Sequence, residues 1–238
     1  MPPTTPRLLG VDFTSAPRRA KPITVARGRI DGTRVVLDHI ARCEDWPAFE
    51  TVLAEPGPWL GAFDFPFGLP REAVIDLGWP QTWPALVRHC AALGKAGFRA
   101  ALDTYRATRP VGQRYAHRAT DLPARSHSPL KLVNPPVGLM FLEGAPRLLA
   151  AGVHVPGMHA GDPLRIAVEA YPGLLARRIT TASYKRDERR KQTAERRAAR
   201  ALMVDAITAP RSADTPADAR NWLCAPPALR AALIDDAS

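Results

Sequence analysis

The chain has 238 residues, of which 46% are hydrophobic, and its formal net charge is +10. This length allows one sizeable domain or two small ones, and no apolar run approaches the ~20 residues of a membrane helix, which argues against a membrane protein. The three cysteines form no CxxC pair and the N-terminus lacks the pattern of a signal peptide, so we expect a cytoplasmic protein without a disulfide framework.

The positive charge is concentrated in one segment. Residues 177–200 contain ten lysines and arginines against three acids, which leaves +7 of the total of +10 in this stretch. A concentrated basic surface attracts polyanions through phosphate contacts and counterion release. A solvent-exposed helix face is the alternative interpretation, and the sequence favours neither.

The first third of the chain predicts strands. Apolar runs at 7–13, which ends near Asp12, at 22–30 and at 33–40 predict three strands, and Asp31-Gly32 is a typical hairpin turn between the last two. We therefore expect an antiparallel meander.

A helix and a fourth strand follow. An acid at the cap and a proline in the first turn predict a helix from Asp45 that ends before Pro56. The apolar run from Trp59 predicts a buried strand that ends near Asp64, because three closely spaced breakers, Pro66, Gly68 and Pro70, follow it.

The rest of the chain combines one long segment without a regular pattern with further predicted helices and a strand. We expect a long irregular segment over 106–136, because prolines recur along it. The other predicted elements are helices at 83–93 and 95–105 separated at Gly94, a helix at 137–151 broken at Pro146, a fifth strand at 165–171, and helices at 187–207 and 228–236.

Three predicted strands carry a carboxylate near one end: Asp12, Asp64 and Glu169. Clustered carboxylates are hard oxygen ligands for Mg²⁺ or Mn²⁺, and two such ions about 4 Å apart stabilise both oxygens of a phosphodiester undergoing cleavage. The pattern therefore indicates a two-metal site. The alternative is that the two aspartates cap local turns and that Glu169 pairs with an arginine.

The predicted elements follow the order of the ribonuclease H-like fold, and five motifs stand along them: Gly10-Val-Asp-Phe-Thr-Ser-Ala-Pro-Arg-Arg19, Phe63-Asp-Phe-Pro-Phe-Gly-Leu-Pro-Arg71, Asn134-Pro-Pro-Val-Gly138, Glu169-Ala-Tyr-Pro-Gly173 and Tyr184-Lys185. These motifs resemble those of one bacterial family of unknown function that is predicted to contain ribonuclease H-like nucleases. The resemblance covers almost the whole chain. It implies a single α/β domain with a mixed five-stranded sheet, three antiparallel strands followed by two parallel ones, flanked by helices.

The resemblance also assigns roles to residues. It implies that Asp12, Asp64 and Glu169 hold Mg²⁺ or Mn²⁺ in a metal-dependent nuclease, and that Lys185 contacts a phosphate or a leaving oxygen. Six arginines are candidates for contact with the backbone of a DNA or RNA partner: Arg18, Arg19, Arg118, Arg125, Arg186 and Arg189.

The sequence departs from the family pattern at its C-terminal end, and this leaves other functions open. Similar sequences continue into an acidic C-terminal helix, so here the last metal-binding acid is either missing or replaced by Asp205 or Asp236. A nucleic-acid-binding protein with weakened catalysis is therefore the second hypothesis. A phosphotransferase of the actin-like fold is the third, although such enzymes need two domains and glycine-rich phosphate loops. The sequence does not indicate an oligomeric state.

Overall fold

The computed structural model describes residues 5–32, 34–185, 192–209 and 223–235. Over these residues the chain forms a mixed sheet flanked by helices. The elements, in chain order, are β1 (Arg7–Asp12), β2 (Ile23–Asp31), β3 (Arg34–Cys43), α1 (Trp46–Ala54), β4 (Trp59–Asp64), α2 (Arg71–Asp76), α3 (Trp83–Ala107), α4 (Asp121–Ala124), α5 (Val137–Ala150), β5 (Val153–His154), β6 (Asp162–Glu169), α6 (Pro172–Ile179), α7 (Ala194–Thr208), β7 (Leu223–Cys224) and α8 (Pro227–Asp235).

The sheet has the strand order β5-β6-β4-β1-β2-β3-β7. The first three strands form the expected antiparallel meander, and β4 and β6 lie parallel to β1 on its other side. The expectation of five strands is wrong, because β5 and β7 add a strand at each edge. Each has two residues, which is too short to produce a recognisable hydrophobic alternation.

The central strand β4 alternates between the two faces of the sheet. Trp59, Gly61 and Phe63 are buried, whereas Leu60, Ala62 and Asp64 lie on the other face. Phe63 belongs to an aromatic cluster with its neighbours in the chain: Phe65 lies 6.0 Å from it between ring centroids, and Phe13, which follows β1, lies 4.5 Å from Phe65. These rings fix the ends of β1 and β4 relative to each other.

The helices agree with the predictions at one break and differ from them elsewhere. The predicted break at Gly94 is confirmed, because that residue has φ 61° and ψ 177° within α3. The predicted break at Pro146 is wrong, since α5 continues through it. Ala145 and Leu148, on either side of the proline, are fully buried, so this part of the helix packs against the core, and that packing offsets the cost of the proline. Sequence analysis also missed α2 and α6, which are only six and eight residues long.

The predicted helix at 187–207 begins later than expected. Residues 186–191 lie outside the described residues, and α7 starts at Ala194. Thr193 is the reason: its backbone is extended and its Oγ1 accepts a hydrogen bond from Arg196 N, which makes it the N-cap.

The segment 106–136 is irregular, as expected, with the four-residue α4 as its regular element. None of the helices within the described ranges combines the length and the apolar character that crossing a membrane requires.

Candidate site at the strand ends

Asp12 and Asp64 lie side by side at the carboxyl ends of two parallel strands. The register of β1 on β4 pairs Val11 with Phe63 and Asp12 with Asp64. Because paired residues in parallel strands project to the same face, both carboxylates lie on the face opposite to the buried Val11 and Phe63. Asp12 is exposed, whereas Asp64 is partly buried.

The surroundings of Asp64 disfavour its ionised form. Burial raises its pKa to about 6, and the negative charges of Asp12 and Glu169 add to the effect, while Lys185 opposes it. Within the described parts of the chain, no group donates a hydrogen bond to the Asp64 carboxylate. A partly buried carboxylate without a donor, next to other carboxylates, is stabilised by any cation that binds there.

Lys185 reaches the same place. Its Nζ forms an ion pair with Asp12 Oδ2 at 2.9 Å, and 43% of its side chain is exposed. Burial alone would lower the pKa of Lys185, but the charge and hydrogen bond of Asp12 raise it above its ordinary value. The ammonium therefore partly neutralises the aspartate pair.

Glu169 lies at the same end of the sheet but is held differently. It is the last residue of β6 and pairs in register with Phe63, one residue before the level of the two aspartates. Alternation therefore directs its side chain away from theirs. Its Oε2 accepts a hydrogen bond from Phe67 N at 2.8 Å, and both of its oxygens bind Arg118 at 2.7 Å.

Arg118 therefore binds a candidate site residue in this structure, whereas the sequence predicted contact with nucleic acid. It also binds Asp121, a carboxylate that is 1% exposed and that sequence analysis missed. An aspartate in an irregular, polar segment gives no sequence signal of burial. Its hydrogen-bond partners, Arg118 and Ser126, lie within five residues of it in the chain.

The remaining predicted residues are scattered. Arg18 and Arg19 are exposed in the turn between β1 and β2, and Arg125 ends α4 in the left-handed conformation with φ 51°. Arg186, Arg189 and Asp236 lie outside the described residues. Asp205, on the exposed side of α7, pairs with Arg230 at 2.8 Å.

A cluster of basic side chains adjoins Arg118. The Ser128 hydroxyl donates to Ala116 O at 2.6 Å and thereby connects the two parts of the irregular segment that carry His117 and His127. Arg177 of α6 reaches the same loop by donating to Ala124 O. Partial burial lowers the pKa of His127, as do the positive charges of Lys131, His117 and Arg177. Sequence analysis missed this cluster because it combines two parts of a loop with a helix about 50 residues away.

The site does not contain a ready-made metal cage. Among the described residues, no three histidine, cysteine, aspartate or glutamate side chains are grouped closely enough to hold a metal ion together. The two aspartates are adjacent, and the third carboxylate is turned toward Arg118.

Comparison of the chain with protein-family models, with curated proteins and with solved structures gives no match.

Proposed function

We propose that the protein is a metal-dependent nuclease of the ribonuclease H-like type, which hydrolyses phosphodiester bonds in nucleic acid. The observation that carries the proposal is the in-register pairing of Asp12 with Asp64 at the ends of parallel strands, next to Glu169. The central strand order β6-β4-β1-β2-β3 is the order expected for that fold. The neighbouring basic cluster would attract the polyanionic substrate.

The donor set suits Mg²⁺ or Mn²⁺. Both ions prefer hard oxygen ligands, and Asp12 and Asp64 present such oxygens side by side. Burial and the charge of Asp12 raise the pKa of Asp64, and the opposing charge of Lys185 does not cancel this rise, so a bound cation would stabilise the ionised carboxylate further. We propose that Asp12 and Asp64 would hold the cation, and that Glu169, which is turned toward Arg118 in this structure, would have to leave Arg118 before it could contribute an oxygen ligand.

Each group at the site would have a separate role in phosphodiester hydrolysis. Bound cations supply electrostatic stabilisation of the charge that develops on the phosphodiester. Lys185, released from Asp12 when that aspartate binds a cation, contacts a phosphate oxygen. The aromatic cluster keeps the strand ends that carry the two aspartates in fixed positions, so the reorganisation on binding is confined to Lys185 and Glu169.

The test is a nuclease assay on DNA, RNA and hybrid substrates with and without Mg²⁺ or Mn²⁺. We expect metal-dependent cleavage by the wild-type chain and a loss of about 100-fold or more in Asp64→Asn, the scale at which removal of one stabilising group reduces turnover. Asp38→Asn is the matched control, because Asp38 on β3 pairs with the exposed Arg29 on β2. Equal cleavage by wild type and Asp64→Asn contradicts the proposal.

One observation favours a second candidate, a nucleic-acid-binding protein of the same fold without catalysis. In this structure Lys185 neutralises Asp12, and Arg118 neutralises Glu169. A protein that used these ion pairs only to hold its shape would bind DNA or RNA without cleaving it. Binding that is equal with Mg²⁺ and with EDTA, together with no cleavage, supports this second function.

A further inference from the structure

Arg118 is held along two edges by two carboxylates of very different exposure. Its Nε and Nη2 donate to Asp121 Oδ1 at 3.1 and 2.8 Å, and its backbone N donates to Asp121 Oδ2 at 2.8 Å. The Ser126 hydroxyl donates to Asp121 Oδ1 at 3.1 Å. Asp121 is 1% exposed, so this edge of the guanidinium is fixed in the protein interior.

The other edge faces the strand ends. Nη1 and Nη2 donate in parallel to Glu169 Oε2 and Oε1, both at 2.7 Å, and 29% of the Glu169 side chain is exposed. Two parallel N–H groups at this spacing match a carboxylate and equally match two oxygens of a phosphate. The Nε–Nη2 edge, bound to Asp121, fixes the guanidinium. The Nη1–Nη2 edge binds a partly exposed carboxylate, which another anion can replace.

We propose that the Nη1–Nη2 edge of Arg118 is an anion subsite for a backbone phosphodiester of nucleic acid, and that Glu169 occupies it when no substrate is bound. Asp121 is the positioning residue: it holds the guanidinium so that the fork formed by Nη1 and Nη2 faces the strand ends. The choice of nucleic acid as the anion rests on the proposed function, whereas the subsite itself rests on the contacts of Arg118.

The arrangement couples the two charged ligands of the site. A phosphodiester that takes the Arg118 edge removes the partner that neutralises Glu169, and the charge of Glu169 then adds to the negative potential at Asp64, which favours a cation there. A cation that attracts Glu169 exposes the Arg118 edge to the phosphodiester. Coupling between two binding events is reciprocal, so each ligand raises the affinity for the other by the same factor.

The test measures binding without a cation. The full chain is titrated against a fluorescently labelled single-stranded DNA oligonucleotide in EDTA at fixed salt, and binding is followed by fluorescence anisotropy. Glu169→Gln removes the competing charge from Arg118, and we expect it to bind about fivefold tighter than wild type, at the low end of measured coupling effects. The same carboxylate-free fork should give no gain on a methylphosphonate oligonucleotide, which lacks the backbone charge.

Controls separate the subsite from general electrostatics. Glu50→Gln also removes an arginine-paired carboxylate, from the pair with Arg147, and should change affinity less than twofold. Arg118→Lys in the Glu169→Gln background keeps the charge but not the fork, and should return affinity to the wild-type value. Asp121→Asn in that background should halve the gain or more, with circular dichroism to verify that each variant folds.

Three results would overturn the subsite: equal affinities of Glu169→Gln and Glu50→Gln, a gain that persists with Lys at position 118, or a gain on the uncharged backbone. These readouts are independent of cleavage. An inactive wild-type protein that retains the Glu169→Gln gain refutes the nuclease but keeps the subsite. Metal-dependent cleavage without that gain keeps the nuclease and refutes the subsite.

Discussion

Two carboxylates, one before β4 and one at its last residue, have pKa values shifted in opposite directions. Glu55, just before the strand, binds Arg27 through both of its oxygens, and the hydrogen bond from Arg27 lowers the pKa of Glu55. Asp64, the last residue of the strand, has no donor among the described residues, and burial raises its pKa to about 6. Arg27 stabilises the charge of Glu55, whereas the charge of Asp64 is unfavourable in the native state although Lys185 partly offsets it.

The contrast predicts opposite dependences of stability on pH. Because the native pKa of Glu55 is lowered, its contribution is present above the unfolded pKa of about 4.3 and is lost as the pH falls through the native value. Because the native pKa of Asp64 is raised, ionisation costs stability as the pH rises from about 4 to about 6, and the full cost remains above that range.

The largest effect is expected from the side chain that anchors the Glu55 end of the strand. Trp59 is 1% exposed, and its Nε1 donates to Glu55 O at 3.0 Å. Trp59→Ala should lower the free energy of unfolding by about 3–5 kcal/mol, because it leaves a large cavity. Urea denaturation measures the loss, and Trp59→Phe, which fills most of the volume, should lose clearly less. Equal losses would show that the cavity is not the cause.

Glu55→Gln should have the next largest effect. It weakens the charge-assisted hydrogen bonds with Arg27, and we expect a loss of about 2 kcal/mol at pH 7 that fades below about pH 4. Asp38→Asn removes an aspartate that is 41% exposed from its pair with an exposed arginine, and should change stability by less than about 0.5 kcal/mol. A loss at Glu55 that does not vary with pH would contradict the electrostatic explanation.

Asp64→Asn should change stability in the opposite direction. We expect a gain of about 1–2 kcal/mol at pH 8 without added metal, because the variant removes a charge that the native state disfavours. Near pH 4 the carboxyl is largely protonated in the native state, so the gain should become small. Thermal denaturation at both pH values measures the difference. Destabilisation at pH 8 would mean that the carboxylate has a stabilising partner.

The smallest effect is expected at Asp205, one of the two candidates for a final metal-binding acid. Its carboxylate is exposed and pairs with Arg230, of which 42% is exposed. Asp205→Asn should change the free energy of unfolding by less than about 0.5 kcal/mol and cleavage by less than twofold. A loss of cleavage comparable to that of Asp64→Asn would instead make Asp205 part of the site.

The sequence by itself predicted the first four strands and placed an aspartate at the end of two of them. Hydrophobic alternation and turn residues are local signals, so they predicted β1 to β4 and the break at Gly94. Once β1 and β4 are neighbouring parallel strands, Asp12 and Asp64 at their ends must lie close together. That part of the candidate site follows from local pattern and strand order alone.

Tertiary structure alone decided what the third carboxylate does. Glu169 was placed correctly at a strand end, but its orientation and its pairing with Arg118 depend on a segment about 50 residues away. The burial of Asp121 likewise depends on how that irregular segment packs. Such contacts carry no periodic signal, because they are made between side chains that are distant in the chain. They determine which of the strand-end charges are neutralised inside the protein.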